Sequence, residues 1–173
     1  MKWFNCLKSL NWNISIKGLN GRCHPALLGI KTTESVRKMR PFLKMLTCDY
    51  YTFQLRAKYQ GGSPHCKSCE EQPPKNEDLP HILTECIAYS DIRNRIFKDY
   101  EELCNNAINQ INFSDFLKNP SHLTQFILDC GSLNLPSRIS YDDPVCSYIF
   151  KLSHDLCFGI NKTRINKLKN LKN

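Results

Sequence analysis

Apolar positions recur every three or four residues along most of this chain, and that period predicts helices. In the run ESVRKMRPFLKMLT, residues 34–47, they fall at Val36, Met39, Phe42, Leu43 and Leu46, an amphipathic helical spacing. Thr33 reads as its N-cap. Pro41 predicts a break into two pieces, because proline suits a first turn and not an interior. A second helix is predicted from about Thr52 to Gln60, ended by Gly61-Gly62. Residues 63–80 hold Pro64, Pro73, Pro74 and Pro80 without periodicity and read as a loop. A loop of that length in a compact domain needs something to pin it.

Helical patterning resumes at Pro80, with His81, Ile82, Leu83 and Ile87. Ser90 can cap a helix over 91–104, whose apolar face is Ile92, Ile96, Phe97, Tyr100 and Leu103. Shorter helices are predicted at 114–118 and 121–130. A last long helix runs from Pro144 to about Leu168, with Val145, Ile149, Leu152, Leu156 and Ile160 on one stripe. No stretch alternates as a strand would. The predicted fold is mainly α, a small helical domain around a pinned loop, with a long C-terminal helix. Three segments follow: a weakly patterned 1–31 with loop signals at GLNGR and CHP, the helices and loop of 32–105, and a helical 106–173 with a basic tail.

Composition narrows the class. The chain has 173 residues, 41% of them hydrophobic, enough for a packed core. No run approaches the roughly 20 apolar residues of a bilayer span. The opening MKWFNCLKSLNWNISIKG is interrupted by Asn5, Lys8, Asn11 and Asn13 and does not read as a signal peptide. The sequons at Asn13, Asn112 and Asn161 carry no weight without one. An intracellular location, nuclear or cytoplasmic, is therefore expected. There the ten cysteines are buried thiols or metal ligands and not a disulfide framework.

Net charge is +8, which favours an anionic partner, and nucleic acid is the commonest. Residues 31–60 carry seven Lys/Arg against two acids, and residues 160–173 carry five against none. Between Cys66 and Cys86 the balance reverses, two against five. Phosphate contacts are therefore expected from the flanks. Arg37, Lys38, Arg40, Lys44, Arg56 and Lys58 surround Tyr50, Tyr51, Phe53 and Tyr59, a mixture that can follow a single-stranded backbone and stack bases. Lys162, Arg164 and Lys167 in the tail are candidates for a phosphate-binding arm. The bland alternative is a solvated helix face beside a core.

The chemistry-bearing pattern is Cys66-x2-Cys69-x11-His81-x4-Cys86. A Cys-x2-Cys turn projects two thiolates to one side, and a His and a Cys five apart can converge from a short helix. Three thiolates and an imidazole make a closed tetrahedral Zn2+ site of the structural kind. Four unrelated residues are the alternative, and His65 is a rival ligand. Cys23-His24 has no partners at useful spacing and reads as loop. Cys104, Cys130, Cys146 and Cys157 read as small buried apolar residues, and the His154/Cys157 pair as ordinary packing. Tyr141-Asp142-Asp143 lies before a predicted helix start, where acids suit the helix dipole; it is no polymerase motif.

The stretch from Leu43 to Ile96 resembles the region downstream of the polymerase in non-LTR, LINE-type retrotransposon reverse transcriptases. There a helix ending in a Leu-Thr turn precedes a second helix and a CCHC zinc knuckle. The matching positions are Leu46, Thr47, Ser63, Pro64, Cys66, Cys69, His81, Ile82, Leu83, Glu85, Cys86, Tyr89 and Arg93. His24–Thr33 is similar to the segment before that helix, so the likeness covers about residues 24–105. Cys48 stands where the family commonly has glycine. The resemblance implies a zinc-knuckle region contacting RNA or DNA, without the polymerase or endonuclease parts, and so no catalysis by this chain. The competing expectation is a protein-interaction module, or a remnant without nucleic-acid affinity, working through the apolar stripe of the last helix.

Overall fold

The computed structural model describes Leu27 and residues 32–69, 72–107, 112–133 and 144–170. Segment 1–31 apart from Leu27, the Cys23-His24 pair and Tyr141-Asp142-Asp143 lie outside the described residues. Six α-helices are formed among the described residues: α1 Thr33–Leu46, α2 Phe53–Gln60, α3 Ser90–Ala107, α4 Phe113–Leu117, α5 Pro120–Asp129 and α6 Pro144–Asn170. Between α2 and α3 lie a π-helical turn, His81–Glu85, and a 3-10 turn, Ile87–Tyr89. No strand forms among the described residues; one isolated antiparallel bridge joins His65 and Asn76. The fold is mainly α, as the periodicity predicts.

Helix α1 starts one residue earlier than expected. Thr32 is its N-cap: its hydroxyl accepts from Ser35 N at 3.1 Å, and Ser35 Oγ accepts from Thr32 N at 3.0 Å. That reciprocal pair satisfies two end groups that a cap at Thr33 would leave open. The expected break at Pro41 does not occur, and α1 runs through it. Proline removes one backbone bond and costs about 3 kcal/mol in an interior. Met39, Phe42 and Met45, buried on both sides of it, offset that loss, each contributing about 1.5–3 kcal/mol.

The C-terminus of α1 closes in a Schellman turn. Asp49 N donates to Lys44 O at 2.7 Å and Cys48 N to Met45 O at 3.1 Å. This geometry puts Cys48 in the left-handed region at φ 55°, where glycine is favoured. Helix α2 follows, capped by the Thr52 hydroxyl at one end and Gly61, φ 75°, at the other. Phe53 is its one buried residue.

The core is continuous from Met39 to Ile160, so segments 32–105 and 106–173 contribute to one cluster. Helix α6 lies at its centre. Phe42 meets Phe150 edge-on at 6.0 Å and His154 at 4.7 Å. Tyr100, Phe113, Phe116 and Phe126 form an aromatic group, with Phe126 at 4.7 Å from Phe116 and 5.4 Å from Tyr100. The Tyr100 and Ser153 hydroxyls share a buried hydrogen bond of 2.7 Å. Gly159 lets α3 approach closely, since a Cβ there would stand 3.1 Å from Ile92 Cγ2.

Cys104, Cys130, Cys146 and Cys157 are fully buried free thiols. Burial pushes the Cys157 thiol well above its ordinary range, the opposite of what a nucleophile needs. The apolar stripe of α6 is also used internally. Ile149, Leu152, Leu156 and Ile160 are buried in the chain's own core, so it offers no docking face to a partner. No helix among the described residues is long and apolar enough to cross a membrane.

Candidate metal centre

The loop after α2 runs out, turns and pairs with itself. Cys66 N donates to Lys75 O at 2.9 Å and Glu77 N to Pro64 O at 2.8 Å, on either side of the His65–Asn76 bridge. These bonds fix Cys66 at the base of the loop, and the x2 turn returns Cys69 beside it. Tyr89 Oη donates to Ser68 Oγ at 2.8 Å, tying that turn to the start of α3.

The other two donors come from the π-helical turn. Cys86 N donates to His81 O at 2.7 Å, an i to i+5 bond. In an α-helix five residues advance about 500°, leaving their side chains roughly 140° apart. The wider π turn, with its i→i+5 bond, reduces that offset. The x4 spacing thus works through a short helix, as expected, and that helix is of the π kind. Asp78 Oδ1 accepts from His81 N at 2.8 Å at the start of the turn. Arg93, itself buried, donates to Cys86 O at 2.5 Å and Glu85 O at 3.0 Å at its end.

All four expected ligands converge. One donor atom from each of Cys66, Cys69, His81 and Cys86 lies within 4.8 Å of every other. A tetrahedral ion with thiolate bonds near 2.3 Å holds two sulfurs about 3.8 Å apart and a sulfur and an imidazole nitrogen about 3.6 Å apart. Cys66 Sγ and Cys86 Sγ are 3.8 Å apart, and Cys69 Sγ and His81 Nε2 are 3.4 Å apart. Cys66, His81 and Cys86 are buried and Cys69 is half-buried. The donor set fits a metal ion. His65 is exposed and outside the group.

The site is electrostatically prepared for an anionic donor. A hydrogen bond from the Cys86 thiol, with help from His81, outweighs burial and holds Cys66 well below the usual thiol range. The same bond, with burial, pushes Cys86 up. His81 Nδ1, on the side of the ring away from Cys69, lies 3.7 Å from Glu85 Oε2, and Lys75 Nζ is 3.5 Å from that oxygen. The Glu85 carboxylate therefore stands behind the imidazole at charge-contact distance and not at hydrogen-bonding distance.

The expected cationic residues divide. Arg40, Lys44, Arg56, Lys58, Lys162 and Lys167 are exposed on α1, α2 and the last turns of α6. Arg37 is exposed but paired with Glu34 at 3.0 Å, and Lys38 meets Asp155 at 3.6 Å. Arg164 is a correction. It is buried, and its Nη2 donates to Glu77 Oε1 at 2.6 Å and to Tyr51 O at 3.0 Å, so no phosphate can take its guanidinium. Burial works against that charge; the Glu77 bonds outweigh it and raise the Arg164 pKa. Among the aromatics, Tyr51 and Tyr59 are exposed, while Tyr50 and Phe53 belong to the interior.

Sequence reasoning assigned no role to Glu77, which is fully buried. It sits in an acidic stretch that reads as solvated, and no local pattern marks it. Arg93 stands among the positions of the family likeness, with no role attached. No family model, no curated protein and no solved structure matches the chain.

Proposed function

We propose that this chain is a non-catalytic, zinc-stabilised domain that binds nucleic acid, of the kind found downstream of the polymerase in non-LTR retrotransposon reverse transcriptases. The observation that carries it is the Cys66, Cys69, His81, Cys86 group, four donors of the zinc type at tetrahedral spacing. Three soft sulfurs and one imidazole suit zinc, and a full set of four leaves no open position for a reacting water. The ion's role here is to hold the loop against the helices. Arg40, Lys44, Arg56, Lys58, Lys162 and Lys167 supply exposed positive charge, and Tyr51 and Tyr59 supply exposed rings, that of Tyr59 5.7 Å from Lys58 Nζ. RNA or DNA is the partner this combination suits.

Two measurements on the purified, reduced protein test the reading. Elemental analysis is expected to give one zinc per chain. Fluorescence anisotropy with a labelled single-stranded RNA is expected to give micromolar or tighter binding that weakens steeply with salt, as displaced counterions require. Metal-free protein, or binding that is absent or insensitive to salt, overturns it.

A further inference from the structure

Three chain segments meet at Glu77. Its backbone N–H donates to Pro64 O at 2.8 Å, inside the metal loop, and its carbonyl accepts from Gln54 N at 3.2 Å, in the first turn of α2. Its Oε1 accepts from Phe53 N at 2.9 Å and from Arg164 Nη2 at 2.6 Å. Its Oε2 lies 3.4 Å from Arg164 Nε and 3.8 Å from Cys66 Sγ. Arg164 then reaches Tyr51 O and lies over the Tyr50 and Phe53 rings at 5.5 Å each. One buried carboxylate therefore touches a metal donor, the start of α2 and the far part of α6.

Besides the Tyr50 hydroxyl, which donates to Asn161 Oδ1 at 3.1 Å, these helix ends are held by few buried side chains. Phe53 is the one buried residue of α2, and beyond Ile160 the one buried residue of α6 is Arg164. Among its described residues, the loop that carries Glu77 has one isolated bridge and no strand or helix before Leu79. The paired backbone of 64–66 and 75–77 ties the position of Cys66 to that of Glu77, while the Cys66 sulfur has no proton to share once it ligates; Glu77 in turn touches both helix ends. Those ends carry Arg56, Lys58, Tyr59, Lys162 and Lys167, all exposed.

We propose that the buried Glu77–Arg164 pair transmits metal occupancy to α2 and to the last turns of α6, so that the metal-loaded chain presents its cationic surface to nucleic acid and the metal-free chain does not. This rests on the reading of the Cys/His group as a metal site and adds a regulation to it. Outer-shell partners of metal ligands alter affinity by about 10- to 100-fold. Local opening that leaves the rest of a domain intact is read by amide exchange. Arg164 and Glu77 act here as positioning residues.

The experiment uses the whole chain. Co2+ is titrated first and its d–d absorption recorded, which tests the metal reading alone; a wild-type chain that binds no Co2+ removes both ideas. Amide exchange is then compared with and without chelator. Protection of Phe53, Gln54 and residues 161–168 is expected to fall about tenfold or more on metal removal, against little change at Leu103 and Cys104 in α3. In Arg164→Met, Co2+ still binds, about tenfold more weakly, but the same amides exchange fast even when loaded, and a labelled oligouridylate is no longer held. Arg164→Lys, which keeps a cation, serves the same measurements if the first variant does not fold, and partial protection is expected there. A wild-type chain that binds Co2+ while those amides ignore the chelator, or an Arg164 variant that keeps full protection and RNA binding when loaded, overturns the proposal and leaves the metal reading standing.

Discussion

Replacing Cys86 with serine separates a ligand from a core residue. Cys86 is fully buried and its sulfur lies 3.8 Å from Cys66 Sγ, so either role would make the change harmful. As a ligand, it holds roughly a quarter of a structural site whose binding free energy is about 10–16 kcal/mol. Losing it should weaken binding by about 3 kcal/mol, or about a hundredfold. At a buffered free zinc level about 100 times the wild-type Kd, a hundredfold loss of affinity lowers the stabilisation from about 2.7 to about 0.4 kcal/mol, a loss of about 2.3 kcal/mol. For a chain of this size that lowers the melting temperature by about 5–10 °C. As mere packing, the swap of sulfur for hydroxyl costs about 1–3 kcal/mol whether or not metal is present. Thermal unfolding followed by circular dichroism, run in zinc buffer and again in chelator, distinguishes the two. Ligation predicts a large wild-type-to-variant gap in zinc that shrinks in chelator. An equal gap in both conditions, or unchanged zinc content in the variant, refutes it.

Cys48→Gly should stabilise the chain by about 0.5–1 kcal/mol, because it relieves a left-handed residue and gives back part of that gain in unfolded-state entropy; urea denaturation measures it, and a loss of stability would mean the Cys48 side chain contributes more than its backbone strain costs. Arg56→Ala with Lys58→Ala, both exposed on α2, should lower the slope of log affinity against log salt for single-stranded RNA by about 1.4 while leaving the melting temperature within about 1 °C. An unchanged slope would remove α2 from the binding surface.

Much of the helical layout could be read from residue type alone, because 3.6-residue periodicity and burial are the same fact seen twice. Ile96 and Tyr100 in α3, and Ile149, Leu156 and Ile160 in α6, are buried where the period puts them. The four donors were readable for another reason: metal chemistry demands residue types that few other roles combine at short spacing. Cys48 follows a helix end where glycine is the residue that suits a tight turn, and its φ of 55° puts it in the left-handed region. What failed was tertiary. Arg164 sits in a run, NKTRINKLKNLKN, that looks uniformly solvated, and only the buried carboxylate 87 positions away singles it out. Pro41 failed likewise, since the packing that offsets it comes from α6.

The position of the donors in the core decides what the ion can be for. Cys86 follows Ile82 and Leu83 and precedes Tyr89, all of them fully buried in the same cluster as Phe42 and Phe126. Cys66 and Leu79 belong to that cluster too. The Cys/His group is therefore a corner of the helical core and not an appendage on a tether. The donors sit beside side chains that also face α5, α3 and α6, so an ion there would hold the loop on a surface that those helices build without it. Metal binding and folding must then share free energy, and protonation of the thiolates and imidazole links both to pH. Acid should release the ion and, in the same transition, loosen α2 and the last turns of α6 and lower the melting temperature, since thiols and imidazolium cannot ligate. A chain in which acid removed the metal while the melting temperature stayed fixed would show the corner to be independent of the core.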